Sequence, residues 1–257
     1  MKQTANFPKV ATDMFMVQLI WTAGFLGIML IVNIVKLIIA GNQGNLAEGF
    51  FNSLFVAGGI YMFVLGILSI YFLPHFVGNG VTRKDYFKGT VLASIGISIV
   101  IPIITMIITV LEKFILNIVG LSYKEQTINN VDLDGNIIGD IIQSAIISPY
   151  VDPQNNWILA IVVLSLNIFV NYLIGWLIGS SFYRFDVAVS IGFIFIGLNI
   201  KMLKDTLLRI SLELPIPGWY SMLDFLPFSI AILGIVVLIL LSIWIIRFMT
   251  KRVAIKM

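Results

Sequence analysis

Long apolar runs separated by short polar segments dominate the pattern of this sequence. A helix needs about 20 predominantly apolar residues to cross the hydrocarbon core of a bilayer, and six runs meet that requirement. The predicted spans cover residues 16–40, 50–73, 90–119, 157–179, 187–203 and 227–249. The fifth has the shortest clean apolar run, 187–200, and has to extend to Phe182 at one end or to Leu203 at the other. We therefore predict a single transmembrane domain over residues 1–257, an all-α integral membrane protein with six transmembrane helices.

The composition supports this class. Hydrophobic residues make up 59% of the chain and charged residues 11%, with a mean hydropathy of +1.03. Such a chain has too little polar surface to cover a soluble globule. We expect a multi-pass protein of the cell membrane, in contact with the lipid bilayer and not with nucleic acid, because the excess of basic residues follows from topology.

Lysine and arginine predict the orientation, because they concentrate in cytoplasmic segments. With the N- and C-termini in the cytoplasm, the inner segments carry ten basic and three acidic residues, a net charge of +7. The outer segments carry five basic and ten acidic residues, a net charge of −5. Trp157 and Trp176 lie 19 residues apart, about 28 Å along a helix. We expect both to anchor the fourth span at the two membrane interfaces.

The outer segments contain two predicted amphipathic helices. One covers residues 136–147 within the external loop 120–156, and the other covers residues 201–214. In the second, Asp205, Arg209 and Glu213 form a charged stripe at four-residue intervals. The sequence 215–220, Pro-Ile-Pro-Gly-Trp-Tyr, then predicts a turn. Either a re-entrant hairpin precedes the last span, or an interfacial helix is followed by a plain loop.

The fourth span carries the most distinct polar pattern within the predicted membrane region. Asn167, Asn171, Gly175 and Gly179 follow one another at four-residue intervals, so two amides and a GxxxG pair share one helix face. That face either packs against another helix or lines a translocation path. Further candidates for the same roles lie on the third span, namely Ser94 and Ser98.

A basic element, residues 80–89, separates the second and third spans. Thr82 followed by Asp85 is typical of a capping box, so a short helix should begin after Thr82. This helix should present its basic and aromatic side chains to a cytoplasmic partner; the residues concerned are Thr82, Arg83, Lys84, Asp85, Tyr86, Phe87 and Lys88. The alternative is an ordinary positively charged cytoplasmic loop.

This sequence lacks the residues that several kinds of chemistry require. It contains no cysteine and a single histidine, His75, which excludes cysteine-based catalysis and a histidine-rich zinc site. No GxxxxGK[ST] nucleotide loop, HExxH motif or GxSxG serine motif is present. We expect no catalytic residue, no metal site and no cofactor in this chain.

Six spans with internal termini, the element Gly80-Val-Thr-Arg-Lys-Asp-Tyr-Phe87 and the proline-rich segment before the sixth span resemble the membrane subunits of type-2, exporter-type ABC transporters. The compact form is similar to Gram-positive permeases that export hydrophobic peptides or give immunity to peptide antibiotics. The resemblance implies that Thr82 to Lys88 is a coupling helix for a separate ABC ATPase, which would bind ATP and Mg. It also implies a second permease, identical or similar, around a path for a hydrophobic or amphipathic substrate.

Two other functions remain open. The first is a non-transporting membrane scaffold or sensor that docks a cytoplasmic partner through the same basic element. The second is an ion-coupled carrier, which the sequence disfavours, because no span shows the paired carboxylates that such carriers usually place inside the membrane.

Overall fold

A computed structural model describes residues 6–43, 49–119, 148–216 and 218–251, and all regular structure in these ranges is helical. Seven α-helices follow one another within these ranges. They are α1 (Phe7–Gln43), α2 (Phe50–Ser69), α3 (Leu73–Gly78), α4 (Arg83–Val119), α5 (Trp157–Arg184), α6 (Val187–Ser211) and α7 (Phe228–Lys251), with short 3₁₀ turns at Ile70–Phe72 and Gly218–Leu223.

Among the residues that the structure describes, six helical segments are long and apolar enough to cross a membrane: α1, α2 with its extension through α3, α4, α5, α6 and α7. The prediction of an all-helical protein with six long apolar helices is therefore confirmed. The chain is a multi-pass membrane protein by this criterion. The predicted amphipathic helix at 136–147 lies outside the described residues.

Successive long helices run in opposite directions, so the start of α1 and the end of α7 lie at the same end of the bundle. The Lys88 ammonium lies 5.4 Å from the centre of the Phe7 ring, and the Arg83 guanidinium donates a hydrogen bond to the Lys251 carbonyl over 3.3 Å. We call this the basic end, because Arg83, Lys84, Lys88, Arg184, Arg247 and Lys251 lie there. The other is the opposite end.

Helix α5 lies at the centre of the bundle and packs against α2, α4, α6 and α7. Its contact with α2 is the most extensive of all and depends on glycine. A Cβ atom at Gly175 would lie 2.0 Å from the Phe63 carbonyl oxygen, and one at Gly66 would lie 2.1 Å from the Tyr172 carbonyl oxygen. Only glycine permits so close an approach of two helix backbones.

Glu112 of α4 joins three helices near the opposite end. Its carboxylate accepts hydrogen bonds from the Asn33 side chain on α1 and from the Phe50 backbone N–H at the start of α2, each over 3.0 Å. Backbone N–H groups in the first turn of a helix have no partner within the helix, and a carboxylate satisfies them well. Glu112 therefore orients α1, α2 and α4 relative to one another.

The two tryptophans of α5 occupy different environments. Trp157 is 56% exposed, as expected for a residue at the surface of the bundle. Trp176 is fully buried, with its ring 5.5 Å from Phe87 and 6.3 Å from Tyr172. The expectation that both are interfacial anchors is therefore wrong for Trp176, whose apolar ring fills the helix core.

The predicted separate amphipathic helix at 201–214 is also wrong, because Lys201 to Ser211 continue α6 without a break. The helix ends after Ser211 in the hydrogen-bond pattern of a Schellman motif, in which the N–H of Leu214 donates to the Arg209 carbonyl and that of Glu213 to the Ile210 carbonyl. Glu213 has a positive φ of 54° at the position that favours glycine. The following turn, Gly218–Leu223, leads to α7.

Candidate functional site

Buried residues that belong to no helix lie just before α5. Ser148 and Tyr150 are each 4% exposed although they belong to no helix. The Tyr150 hydroxyl donates a hydrogen bond to Asn52 Oδ1 on α2, and the Tyr150 ring packs edge-on against Phe55 with 5.2 Å between ring centres. Part of the predicted external loop is therefore a buried element that brings a serine hydroxyl between α5 and α6.

Ser148 belongs to a buried polar group that also contains Asn167 of α5 and Lys201, Lys204 and Asp205 of α6. We call this group the lysine–aspartate cluster. The Lys201 ammonium lies 2.9 Å from Asp205 Oδ2, and Lys204 pairs with Asp205 Oδ1. Ser148 Oγ lies 3.2 Å from Asp205 Oδ2 and accepts a hydrogen bond from Lys201 over 2.9 Å. Two ammonium groups therefore pair with one carboxylate, and the single Ser148 hydroxyl proton can go either to this carboxylate or to Asn167.

The amides of α5 complete the cluster. Asn167 Oδ1 accepts hydrogen bonds from Lys204 over 3.1 Å and from Ser148 over 2.9 Å. Asn171, one turn further along, donates to the Asn167 carbonyl over 2.9 Å and lies 3.3 Å from Asn167 Oδ1. The carbonyl oxygen of the Asn167 side chain therefore faces α6, and Asn171 supports that orientation.

The cluster lies well inside the apolar length of the bundle. Asn167 is about 15 Å along the α5 axis from Trp157 and about 25 Å from Arg184, at about 1.5 Å per residue. The side chains of Lys204 and Asp205 are 1% and 5% exposed, whereas that of Lys201 is 15% exposed. Ionisable groups at such a position are costly and commonly mark a functional site.

The charges of the cluster do not balance. Its two ammonium groups face one carboxylate, which leaves an excess of one positive charge among its described members. Attraction within a buried ion pair repays desolvation only when the geometry is good and the remaining donors and acceptors are satisfied. The excess makes the cluster a place where a negatively charged group would be bound more favourably than a positively charged one.

The sequence pattern predicts an external charged helix that contains Lys201, Lys204 and Asp205, and the burial of Lys204 and Asp205 shows that this prediction is wrong. A signal for the correct assignment was present, since no proline or turn pair separates the apolar run 187–200 from residues 201–211. A single helix of 25 residues follows from that continuity. The burial of Lys204 could not be read from the sequence, because it depends on Asn167 and Ser148 on other segments.

The predicted residues of the fourth span all lie near α2. Asn167 and Asn171 also form the polar site, and a Cβ atom at Gly59 of α2 would lie 3.0 Å from Asn171 Nδ2. Gly175 and Gly179 approach the α2 backbone. A Cβ at Gly179 would lie 2.7 Å from the Ile67 carbonyl oxygen, comparable to the close approach at Gly175. The glycine pair therefore lies at a helix–helix contact, and the amide pair lies at the polar site.

Ser94 and Ser98 of α4 are buried but make no hydrogen bond to this cluster. Ser94 Oγ donates to the Val91 carbonyl of its own helix over 2.8 Å. Ser98 Oγ is buried and has no hydrogen-bond partner among the described residues. The structure therefore does not bring these two serines together with Asn167 and Asn171.

A second buried polar group lies towards the basic end, around Tyr172. The Gln18 side chain donates to the Tyr172 hydroxyl over 2.9 Å, and Ser69 Oγ is hydrogen-bonded to the same hydroxyl. The Tyr86 hydroxyl donates to the Ser69 carbonyl. This group links α1, α2, α4 and α5 and satisfies polar atoms that would otherwise be costly in an apolar interior.

The predicted coupling element, residues 80–89, differs from the expected short helix. Thr82 does cap a helix that begins at Arg83, because Thr82 Oγ1 accepts a hydrogen bond from the Asp85 N–H over 3.1 Å. The Asp85 carboxylate accepts one from the Thr82 hydroxyl over 3.0 Å. That helix is α4, however, and it continues for 37 residues to Val119.

The sequence predicts that Tyr86 and Phe87 are presented to a partner, and the structure shows that this prediction is wrong. Tyr86 is fully buried and Phe87 is 8% exposed. Phe87 packs on Trp176, and the Arg247 guanidinium lies 5.2 Å from the centre of its ring. Both aromatic side chains point into the bundle because α4 is a core helix from its first turn. Lys84 and Lys88 remain exposed.

Arginine side chains tie the helix ends together at the basic end. Arg184 of α5 donates hydrogen bonds to the Phe248 and Met249 carbonyls over 2.9 and 3.0 Å, and Arg247 of α7 donates to the Arg83 carbonyl over 3.2 Å. Cations near helix C-termini are favourable, because the last carbonyls lack partners within the helix. The start of α4 and the C-terminal ends of α5 and α7 are therefore fixed to one another.

Among the residues that the structure describes, no three histidine, cysteine, aspartate or glutamate side chains come together in a way that could hold a metal ion. No protein-family model matches this chain, and neither the curated proteins nor the solved structures contain a match.

Proposed function

We propose that this chain is the permease subunit of an ABC transporter in the cell membrane, with the basic end facing the cytoplasm. A separate ATPase would bind ATP and Mg, and a second permease, identical or similar, would complete the path. The observation that carries the proposal is the ordered helical element between α2 and α4. Instead of a plain loop, α3 and the capped start of α4 meet at the turn containing Asn79 and Gly80.

This element has the exposure and stiffness that docking requires. His75, Asn79 and Lys84 are exposed at the basic end. The Phe76 ring lies 5.7 Å from the buried Tyr86 ring, which attaches α3 to α4. A displacement of the exposed turn would therefore move α4, which is about 55 Å long, as one body. Partner contact would come from the exposed residues of α3, the turn and Lys84, with Tyr86 and Phe87 holding the element in place.

The lysine–aspartate cluster would lie on the substrate path of this permease. Buried ionisable groups on α6 that bond to amides on α5 provide polar contacts deep in an otherwise apolar bundle. The substrate proposed here is a hydrophobic or amphipathic molecule such as a peptide, whose export would serve secretion or resistance to an antimicrobial peptide. ATP hydrolysis by the partner would drive the alternation between inward and outward access.

Co-purification tests this proposal. The tagged chain is extracted from its native membranes in mild detergent, and vanadate-sensitive ATP hydrolysis is measured in the eluate. We expect ATPase activity with the wild type and at least a tenfold loss with Lys84→Glu, which reverses a charge on the docking element. The matched control is Lys251→Glu, which makes the same change at the same end on α7 and should retain the activity.

Two results would contradict the permease assignment. The first is an eluate from the wild-type protein without ATPase activity above that of untagged membranes. The second is equal loss in Lys84→Glu and Lys251→Glu, which would show a general effect of charge at this end. Recovery of a different cytoplasmic protein without ATPase activity would favour the scaffold or sensor function.

A second candidate function, an ion-coupled carrier, gains support from the burial of Asp205 between two lysines. The sequence offered no such intramembrane ion pair. Proteoliposomes loaded with a pH-sensitive dye distinguish this carrier from the permease. A proton flux that requires Asp205 and no ATPase would favour the carrier, and its absence would favour the permease.

A further inference from the structure

A strip of apolar side chains on α6 leads to Lys201. Residues spaced alternately by four and three positions share one helix face, and Val187, Ile191, Ile194, Leu198 and Lys201 follow this spacing. The first three are 65%, 45% and 42% exposed, on the outside of the bundle. The strip is about 21 Å long at about 1.5 Å per residue. It therefore combines a long apolar surface with a cation at one end.

Lys201 has the capacity to bind a further acceptor. An ammonium group has three N–H donors, and in the described part of the chain Lys201 directs two of them to Ser148 and Asp205. Its side chain is 15% exposed, whereas Lys204 behind it is 1% exposed. Lys201 is thus the accessible member of a cluster in which two ammonium groups share one carboxylate.

We propose that Lys201 and the apolar strip of α6 bind an anionic amphiphile, with its oxyanion head on Lys201 and its apolar tail along the strip. This inference rests on the proposed function, since it names the chemical class of the substrate. A carboxylate or phosphate would accept hydrogen bonds from Lys201 and balance the excess positive charge of the cluster. A cationic head would instead meet two ammonium groups.

The route to this site is lateral, from the bilayer. The strip faces outward, where lipid tails cover it, so an amphiphile's tail can exchange with them without crossing water. The head remains the costly part to bring inside, and the cluster offers it a charged hydrogen bond. A molecule with both parts gains from both contacts, whereas a small anion lacks the contact with the strip.

Photo-crosslinking in phosphatidylcholine nanodiscs tests the proposal. The probes share one acyl tail with a diazirine group and differ in the head: palmitate, the matching uncharged alcohol, and phosphatidylglycerol. Mass spectrometry then maps the labelled residues. We expect labelling within residues 187–201 by at least one anionic probe and at least tenfold less by the alcohol. The two anionic probes distinguish a carboxylate head from a lipid phosphate.

Variants at Lys201 test the role of its charge. Lys201→Gln removes the ammonium group but keeps the Lys204–Asp205 pair, and labelling by the anionic probe should fall by about tenfold, as expected for a lost charged hydrogen bond. Lys201→Arg should retain most of the labelling. The matched control, Lys251→Gln at the basic end, should label as the wild type does.

Equal labelling of wild type by the alcohol and the anionic probes would overturn the proposal even if Lys201→Gln failed to fold. Undiminished labelling of a folded Lys201→Gln variant, or labelling confined to other helices, would also overturn it. ATPase co-purification is a separate measurement. Its failure with normal labelling would refute the transporter assignment, and normal co-purification without labelling would refute the substrate class.

Discussion

The Lys204 ammonium of α6 donates a hydrogen bond over 3.1 Å to the side-chain oxygen of Asn167 on α5. The two residues are 37 positions apart in the chain, and both are almost completely buried. Because Lys204 also pairs with Asp205, this bond connects the amide pattern of α5 to the ion pair of α6. The contact between the two helices is therefore polar at its centre, with apolar packing around it.

Removal of the Asn167 amide should destabilise the protein. In Asn167→Ala the buried Lys204 ammonium loses its partner on α5, and we expect a loss of about 2 kcal/mol. The matched control is Asn199→Ala, because Asn199 is exposed on α6 and, in the part of the chain that the structure describes, donates a hydrogen bond to the Phe195 carbonyl of its own helix. Thermal unfolding in detergent measures both. Equal stability of the two variants would show that the bond contributes nothing.

Gly175→Ala should separate α2 from α5. The added methyl group would lie 2.0 Å from the Phe63 carbonyl oxygen, and the resulting overpacking should cost at least about 2 kcal/mol. The control is Gly192→Ala on α6, which meets no heavy atom within 4 Å and should gain up to about 1 kcal/mol from helix propensity. Thermal unfolding of Gly175→Ala at the wild-type temperature would contradict the close approach.

Tyr86→Ala should reduce folding, not just partner binding. Its side chain is fully buried and donates to the Ser69 carbonyl, so we expect a loss of about 3–5 kcal/mol, as for other large aromatic residues. Lys84→Ala, two residues away and exposed, should change stability by about 0.5 kcal/mol or less. Expression and thermal unfolding provide the comparison. Wild-type stability of Tyr86→Ala would restore the original expectation of an exposed docking anchor.

Single cysteines test the proposed orientation without interference, since the chain has none of its own. Asn79 and Asn155 are exposed at the two ends of the bundle. A membrane-impermeant maleimide added to intact cells should label a cysteine at Asn155 and should label one at Asn79 only after the cells are lysed. We expect this pattern because lysine and arginine concentrate in cytoplasmic segments, and the basic end carries more of them than the opposite end. The reverse pattern would place the basic end outside.

The sequence alone was sufficient for the fold class and for the number of long apolar helices, because both depend on local properties. A span requires only enough consecutive apolar residues, and the cap at Thr82 requires only residues within one turn. The four-residue spacing of Asn167, Asn171, Gly175 and Gly179 likewise indicated a face that meets protein. These inferences needed no knowledge of which helices are neighbours.

Only the tertiary structure decided which side chains are buried and what they contact. The charged side chains within residues 201–205 are typical of an exposed segment. Asn167 and Ser148 supply the partners that make their burial possible. Tyr86 and Phe87 were typical of docking residues, but α2 and α5 provide a core for them to fill. The cost of burying a polar or charged group depends on its partners, and partners distant in the sequence meet only when the helices pack.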